Sequence, residues 1–261
     1  MFNYFSMEVV MAGKANTQEM LAYLDTLLDV SRYHDYCPNG LQVEGRAEIK
    51  HIVSGVTASQ ALIESAIEQG ADALLVHHGY FWKGEAPNIT GIKRQRIQRL
   101  LETGMNLFAY HLPLDGHAAL GNNAQLARIL DLEVDGVSGD TGLLYHGRLE
   151  QACSGNALAA HIESRLARTP QHIPADRKVE RVAWCTGGAQ SYIEEAVTLG
   201  VDAFITGEIS EQTVHIARET GIHFYAAGHH ATERYGVQAL GKHLAEQFEL
   251  QHTFIDIDNP V

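Results

Sequence analysis

The sequence predicts an α/β protein of two related halves with mostly parallel sheets. Three observations carry this reading. Strand-like and helix-like segments alternate, residues 51–80 realign without a gap on residues 181–210, and in both copies the helix stops at a glycine that opens a Gly-x-Asp-Ala turn into the next strand.

The first helix starts at Thr17, read as its N-cap, and runs through MLAYLDTLLDVSRY with apolar residues recurring at three and four. The turn-rich CPNGLQVEG follows. Then come IVSGV as a buried strand, a helix across SQALIESAIEQ, Gly70 as its stop, and DALLV as a second strand. That β-α-β order implies a parallel sheet, because a helical crossover returns the chain in the same direction. The second copy repeats Gln60 as Gln190, Ile63 as Ile193, Glu64 as Glu194, Ala66 as Ala196, Gly70 as Gly200, Asp72 as Asp202 and Ala73 as Ala203. A third strand follows in each half, NLFAYH after Gly104 and IHFYAA after Gly221. The first half is longer between its second and third strands, which places an insertion near 79–92, within YFWKGEAPNITGIK. The chain therefore divides into a first half over 18–137, a linking segment over 138–178 with a strand (GLLYHGRLE) and a helix (GNALAAHIESRL), and a second half over 179–261.

Composition narrows the function classes. With 45% hydrophobic and 20% charged residues the chain is globular rather than disordered. No apolar run approaches the roughly 20 residues of a membrane span, and MFNYFSMEVVMAGK lacks the basic start and long apolar stretch of a secretory signal. Cys37, Cys153 and Cys185 form no Cys-x-x-Cys pair, so neither a disulfide framework nor a thiolate zinc site is indicated, and the cytoplasm is the expected location. A net charge of −13 argues against a general nucleic-acid or anionic-membrane surface. The 15 histidines point instead to metal or proton chemistry.

In open parallel sheets, ligands bind beyond the carboxyl ends of the strands. DALLV runs into His77 and His78, FAYH into LPLD ending at Asp115, DAFIT into Gly207 and Glu208, and FYAA into Gly228, His229, His230 and Glu233. A metal site at these strand ends, between the halves, follows. Neighbouring histidines at a strand end can splay toward two points, one metal each. His229 and Glu233, four apart after a glycine, share a helix face. Three imidazoles and two carboxylates close two sites only if a carboxylate bridges and water completes the shells, the arrangement of catalytic rather than structural metals. A bridging water would be acidified into a hydroxide nucleophile. Mixed nitrogen and oxygen ligation suits Zn, Fe or Mn.

The motifs PNGLQVEG, VHHGYFWKGE, HLPLDGH with GNNAQLA, DAFITGEISEQ and AAGHHATER together resemble the NIF-three-like (NGG-interacting factor three-like) family, over nearly the whole chain from about residue 18. Its bacterial members carry the label GTP cyclohydrolase 1 type 2 homologue. The resemblance implies two divalent metal ions on His77, His78, Asp115, His229 and Glu233, with Glu233 bridging, and a homohexameric ring around an internal cavity. It also selects His229 over His230 as the ligand.

Two further residues are candidates for chemistry. Glu208 takes the place of His78 in the repeat and is a candidate to orient a ligand imidazole or accept a proton; His111 is a candidate proton shuttle. CTGGAQ has the look of a phosphate-cradling turn, although its glycines can equally serve close packing. Lys93, Arg94, Arg96 and Arg99 are expected on a solvated helix face, and Tyr80, Phe81 and Trp82 at a subunit contact, with stacking on a nucleobase as the alternative. The expected function is a metal-dependent hydrolase for a nucleotide-like, small phosphorylated or cyclic-amide substrate; the alternative is a non-catalytic metal-binding regulator or scaffold.

Overall fold

A computed structural model describes residues 13–139 and 142–261. Residues 1–12, on which most of the leader reading falls, lie outside the described residues. No helix among the described residues is long and apolar enough to cross a membrane.

Two sheets form the body. In the first, the order is Gln251–Phe254, His51–Thr57, Ala73–His78, Asn106–Ala109 and Gly40–Val43. The first four run parallel and only Gly40–Val43 is antiparallel. In the second, the order is Leu132–Ser138, Leu144–Ser154, Lys178–Trp184, Ala203–Thr206, His223–Ala226 and Gln171–Ile173. Its repeated core, Lys178–Trp184, Ala203–Thr206 and His223–Ala226, is parallel, and antiparallel strands flank it.

The repeat has a physical basis in its turn. Asp72 accepts the backbone N–H groups of Lys50 and His51, and Asp202 those of Glu180 and Arg181, so each aspartate closes the start of its first strand. The preceding Gly70 and Gly200 sit at φ 69° and 68°, a conformation that penalises any side chain. The same turn therefore appears wherever the unit does. The connection over 79–90, leading to the helix Gly91–Thr103, is longer than the equivalent link over 207–210 that leads to Glu211–Thr220.

Alternation along the strands buries both faces of the first sheet, as expected for parallel strands covered on two sides. Ile52, Ala73, Leu75 and Phe108 face one layer, and Val53, Leu74, Val76 and Leu107 the other. In the second sheet Phe204 and Phe224 are cross-strand neighbours in register, packed edge to face at 5.7 Å, an arrangement worth about 0.5–1.5 kcal/mol beyond burial. The halves exchange elements. The long helix His229–Phe248 lays Val237, Leu240 and Leu244 on the first sheet, whereas Asn122–Ile129 lays Ala124, Leu126 and Ala127 on the second.

One local expectation is corrected. Asn16, not Thr17, caps the first helix, Thr17–Leu27, by accepting from Gln18 N and Glu19 N. Thr17 Oγ1 instead donates to Arg46 O, which ties the helix to the loop after Gly40–Val43.

Candidate metal centre

The two sheets direct the carboxyl ends of their parallel strands at one region. His77 and His78 end Ala73–His78, Asp115 sits in the short helix Leu112–Gly116 after Asn106–Ala109, and His229 and Glu233 lie in the first turns of His229–Phe248. His77, Asp115 and Glu233 are buried.

Each imidazole is fixed by a partner on Nδ1 that leaves Nε2 pointing inward. His77 Nδ1 lies 2.9 Å from the Tyr110 carbonyl, His78 Nδ1 3.1 Å from Thr57 Oγ1, and His229 Nδ1 2.7 Å from Glu208 Oε1. Backbone carbonyls and carboxylates on the outer nitrogen are how proteins set the tautomer of ligand histidines. The inner nitrogens converge on one carboxylate. His77 Nε2 is 3.4 Å from Glu233 Oε1, while His78 Nε2 and His229 Nε2 are 3.2 and 3.1 Å from Oε2. Asp115 Oδ1 stands 3.5 Å from His77 Nε2.

Ligand-type atoms within 4.8 Å of one another form the groups His77–Asp115–Glu233 and His78–His229–Glu233, with Glu233 common to both. Two others, His77–His78–His111 and Asp35–Cys37–His111, also occur. They fit an ion less well: His111 Nδ1 is 2.7 Å from Asp35 Oδ1, and burial with the Asp35 charge pushes the Cys37 thiol up to about 12. The donor set around Glu233 does fit a divalent ion. Glu233 Oε2 is buried without a hydrogen-bond partner among the described residues, although two imidazole nitrogens are near it. Buried carboxylate oxygens are otherwise almost always satisfied.

Without ions the cluster is electrostatically tense. Burial would lower His77, but Asp115 and Glu233 outweigh it and push its pKa up to about 10. His229 behaves likewise, with burial overcome by Glu233 and Glu208, and stands at about 9. Burial, aided by the charges of His77 and His229, lowers His78 in spite of Glu233. Burial would raise Glu233, yet His78, His77 and His229 hold it well below the ordinary carboxylate range. The buried carboxylates thus make His77 and His229 more basic, whereas His78 is made less so.

The structure brings all seven residues singled out from the sequence to this region. Glu208 serves His229, and His111 stands beside the cluster, its ring 5.1 Å from that of His77 and 5.0 Å from Trp82. His230 points elsewhere: its Nε2 is 2.7 Å from Asp256 Oδ1, which leaves His229 to face Glu233.

Several residues had no role in the sequence reading. Asn122 donates from Nδ2 to Asp115 Oδ1 at 2.8 Å and accepts the Gly236 N–H on its own Oδ1. Asn123 holds the Asp115 carbonyl and the Thr186 N–H. The available signal was an Asn–Asn pair opening the next helix, starting seven residues after Asp115, both wholly buried. In the CTGGAQ turn Cys185 N, Thr186 N and Gly187 N are bonded to Ile205 O, Asn123 Oδ1 and Thr232 Oγ1, so these three amides do not cradle a phosphate. Its Gly187, at φ 69°, makes room instead: a Cβ there would overlap Glu233 Oε1. On the basic helix, Arg99 is paired with Glu64 and Glu102, and Lys93 with Glu85.

A cleft of about 630 Å³ opens onto the cluster, bordered by Tyr36, Trp82, His111, Leu143, Gly188 and Tyr192 among others. The insertion thus supplies Trp82 to its rim, while Tyr80 is buried, its hydroxyl donating to Ala58 O.

These features define a mixed α/β protein with a histidine–carboxylate cluster, able to hold metal, where strand ends of two repeated units meet. The chain belongs to the Duf34/NIF3 (NGG1p interacting factor 3) family, whose sequence profile matches residues 15–260. Among its relatives, the "GTP cyclohydrolase 1 type 2 homolog" of Allochromatium vinosum is 56% identical over 251 residues, 95% of this chain and 99% of that protein. The protein of the same name from Escherichia coli (strain K12) is 54% identical over 244 residues, 93% and 98% respectively. Of solved structures, the protein ybgI, described as of unknown function, matches with TM-score 0.92 at 53% identity, over 95% of this chain and 100% of its own. TTHA1606 from Thermus thermophilus matches with TM-score 0.86 at 32% identity over the same shares.

Proposed function

We propose that this protein is a metal-dependent hydrolase that holds two divalent ions, Zn, Fe or Mn, and acts on a small molecule admitted by the cleft. The observation that carries the reading is the sharing of Glu233: one carboxylate oxygen faces His77, whose Nε2 also lies near Asp115, and the other faces His78 and His229. Bound ions would acidify a water and polarise the substrate. His77, His78, Asp115, His229 and Glu233 hold them. Glu208 positions His229, and Asp35 orients His111, whose ring borders the cleft where a proton carrier is of use. A homohexamer belongs to this proposal through the family resemblance, and light scattering reads it directly.

Elemental analysis of purified protein should return about two equivalents per chain, with an intermetal distance of about 3.5–4 Å by X-ray absorption. A single equivalent overturns the shared-carboxylate reading. Screening the metal-loaded protein against nucleotides, phosphoesters and cyclic amides then tests turnover. The scaffold alternative draws on one observation, that the ligands come from elements of both halves; it gains if metal raises the melting temperature and no substrate turns over.

The pH dependence has a definite sign. His77 at about 10 and His229 at about 9 are both raised above the unfolded value of 6.5. Their ion pairs therefore stabilise the metal-free fold fully below about pH 6.5, and this contribution fades as pH rises through about 9–10. Metal needs the same nitrogens unprotonated, so its apparent affinity should climb across that window. Calorimetric titration in two buffers of different ionisation enthalpy should record proton release on binding at pH 7; zero release contradicts the ligand assignment.

A further inference from the structure

We infer that the cleft is built for an uncharged planar ring compound, and that a nucleoside triphosphate would be held by its base, with no lysine or arginine among the cleft's described residues to hold its phosphates. The inference rests on the reading of the cleft as a small-molecule site and names the chemistry of what enters it.

The cleft's size suits a ligand of one or two rings with a sugar. No lysine or arginine is among the described residues that line it. Its charged lining groups other than histidine are Asp115 and Glu233, turned onto the imidazoles. Proteins hold phosphates with Arg or Lys side chains, or with free amides at glycine-rich turns and helix starts. The glycine-rich turn here has its Cys185, Thr186 and Gly187 amides committed within the protein, which leaves Gly188 and Ala189 as its remaining residues on the cleft wall, with no lysine or arginine among the described residues of that wall. The net charge of −13 repels polyanions further.

What the cleft offers instead is aromatic. Trp82 stands edge-on to His111, with ring centres 5.0 Å apart and planes at 85°, and 6.0 Å from His78. Tyr36 is 62% exposed at the rim, an unusual place for so large an apolar ring. The two are tied together, since Lys83 N donates to Tyr36 O at 2.6 Å. Leu143 and Ala189 add apolar wall, and Ser191 adds a hydroxyl for a ring amide or carbonyl. Stacking on such surfaces accepts any flat ring and asks for no charge.

Calorimetry tests this on the full-length protein, metal-loaded and chelated, with guanosine, uridine and hydantoin as neutral rings, and GTP and tripolyphosphate as anionic probes. At least one neutral ring should bind both forms, with GTP no tighter than guanosine on the chelated form and tripolyphosphate not bound by it. Trp82→Ala should weaken ring binding at least tenfold, and Trp82→Phe should restore most of it, with metal content unchanged in both. Tripolyphosphate binding to the chelated form, GTP binding it tenfold more tightly than guanosine, no binding by any neutral ring, or wild-type ring affinity in Trp82→Ala each overturns the inference. Metal content, measured on the same samples, reports separately on the metal reading.

Discussion

Glu233→Gln is expected to empty both ion positions, whereas Asp115→Asn should empty mainly one. Glu233 is buried, with one oxygen toward His77 and the other toward His78 and His229. The glutamine keeps the shape but removes the negative charge and turns one of the two acceptor faces into a pair of donors. Asp115 belongs to the His77 triad alone, and Asn122 already occupies its Oδ1. Metal titration followed by elemental analysis should therefore give close to zero equivalents for Glu233→Gln and close to one for Asp115→Asn; equal losses would contradict the assignment. The metal-free variant should also melt lower below pH 6.5. There His77 and His229 carry charge, and Glu233 is the carboxylate common to both. Breaking a buried ion pair by removing one partner costs about 3–5 kcal/mol.

Gly187→Ala should be nearly as damaging, although Gly187 has no side chain to bind anything. Its φ of 69° lies in the left-handed region, where alanine costs about 1 kcal/mol or more. The larger effect is steric. The added methyl would overlap Glu233 Oε1 and approach His229 Nε2 at 3.2 Å. Gly187 and His229 are both held, the first by Thr232 Oγ1 on its N–H and the second by Glu208, so the Glu233 carboxylate is the group that gives way. The carboxylate must swing away from His77. The expected result is loss of metal at both positions with the fold retained, read by elemental analysis beside circular dichroism. A variant with two metals bound would show that Glu233 does not need this space.

The sequence by itself determined the β-α-β order, the duplicated unit and the strand ends at which polar residues gather. Those signals are local: apolar periodicity, a glycine that stops a helix, and an aspartate that closes a turn act within a few residues, as Asp72 and Asp202 do in both copies. Convergence of His77, His78, Asp115, His229 and Glu233 was legible for the same reason, since parallel strands deliver their carboxyl ends to one edge. What only the tertiary structure decided concerns pairings between distant segments. The resemblance favours His229 over His230, but the reason lies in the fold: Asp256, on the chain after the last strand, takes His230 and pairs with Arg234. Gln251–Phe254 returns to the first sheet beside His51–Thr57, a partner that four residues of strand pattern cannot specify. Asn122 and Gly187 acquire their roles only once Gly236 and Glu233 are brought against them across the packed helices. Turn and helix chemistry is written in neighbouring residues, whereas the shape of a buried site depends on which remote surfaces pack together.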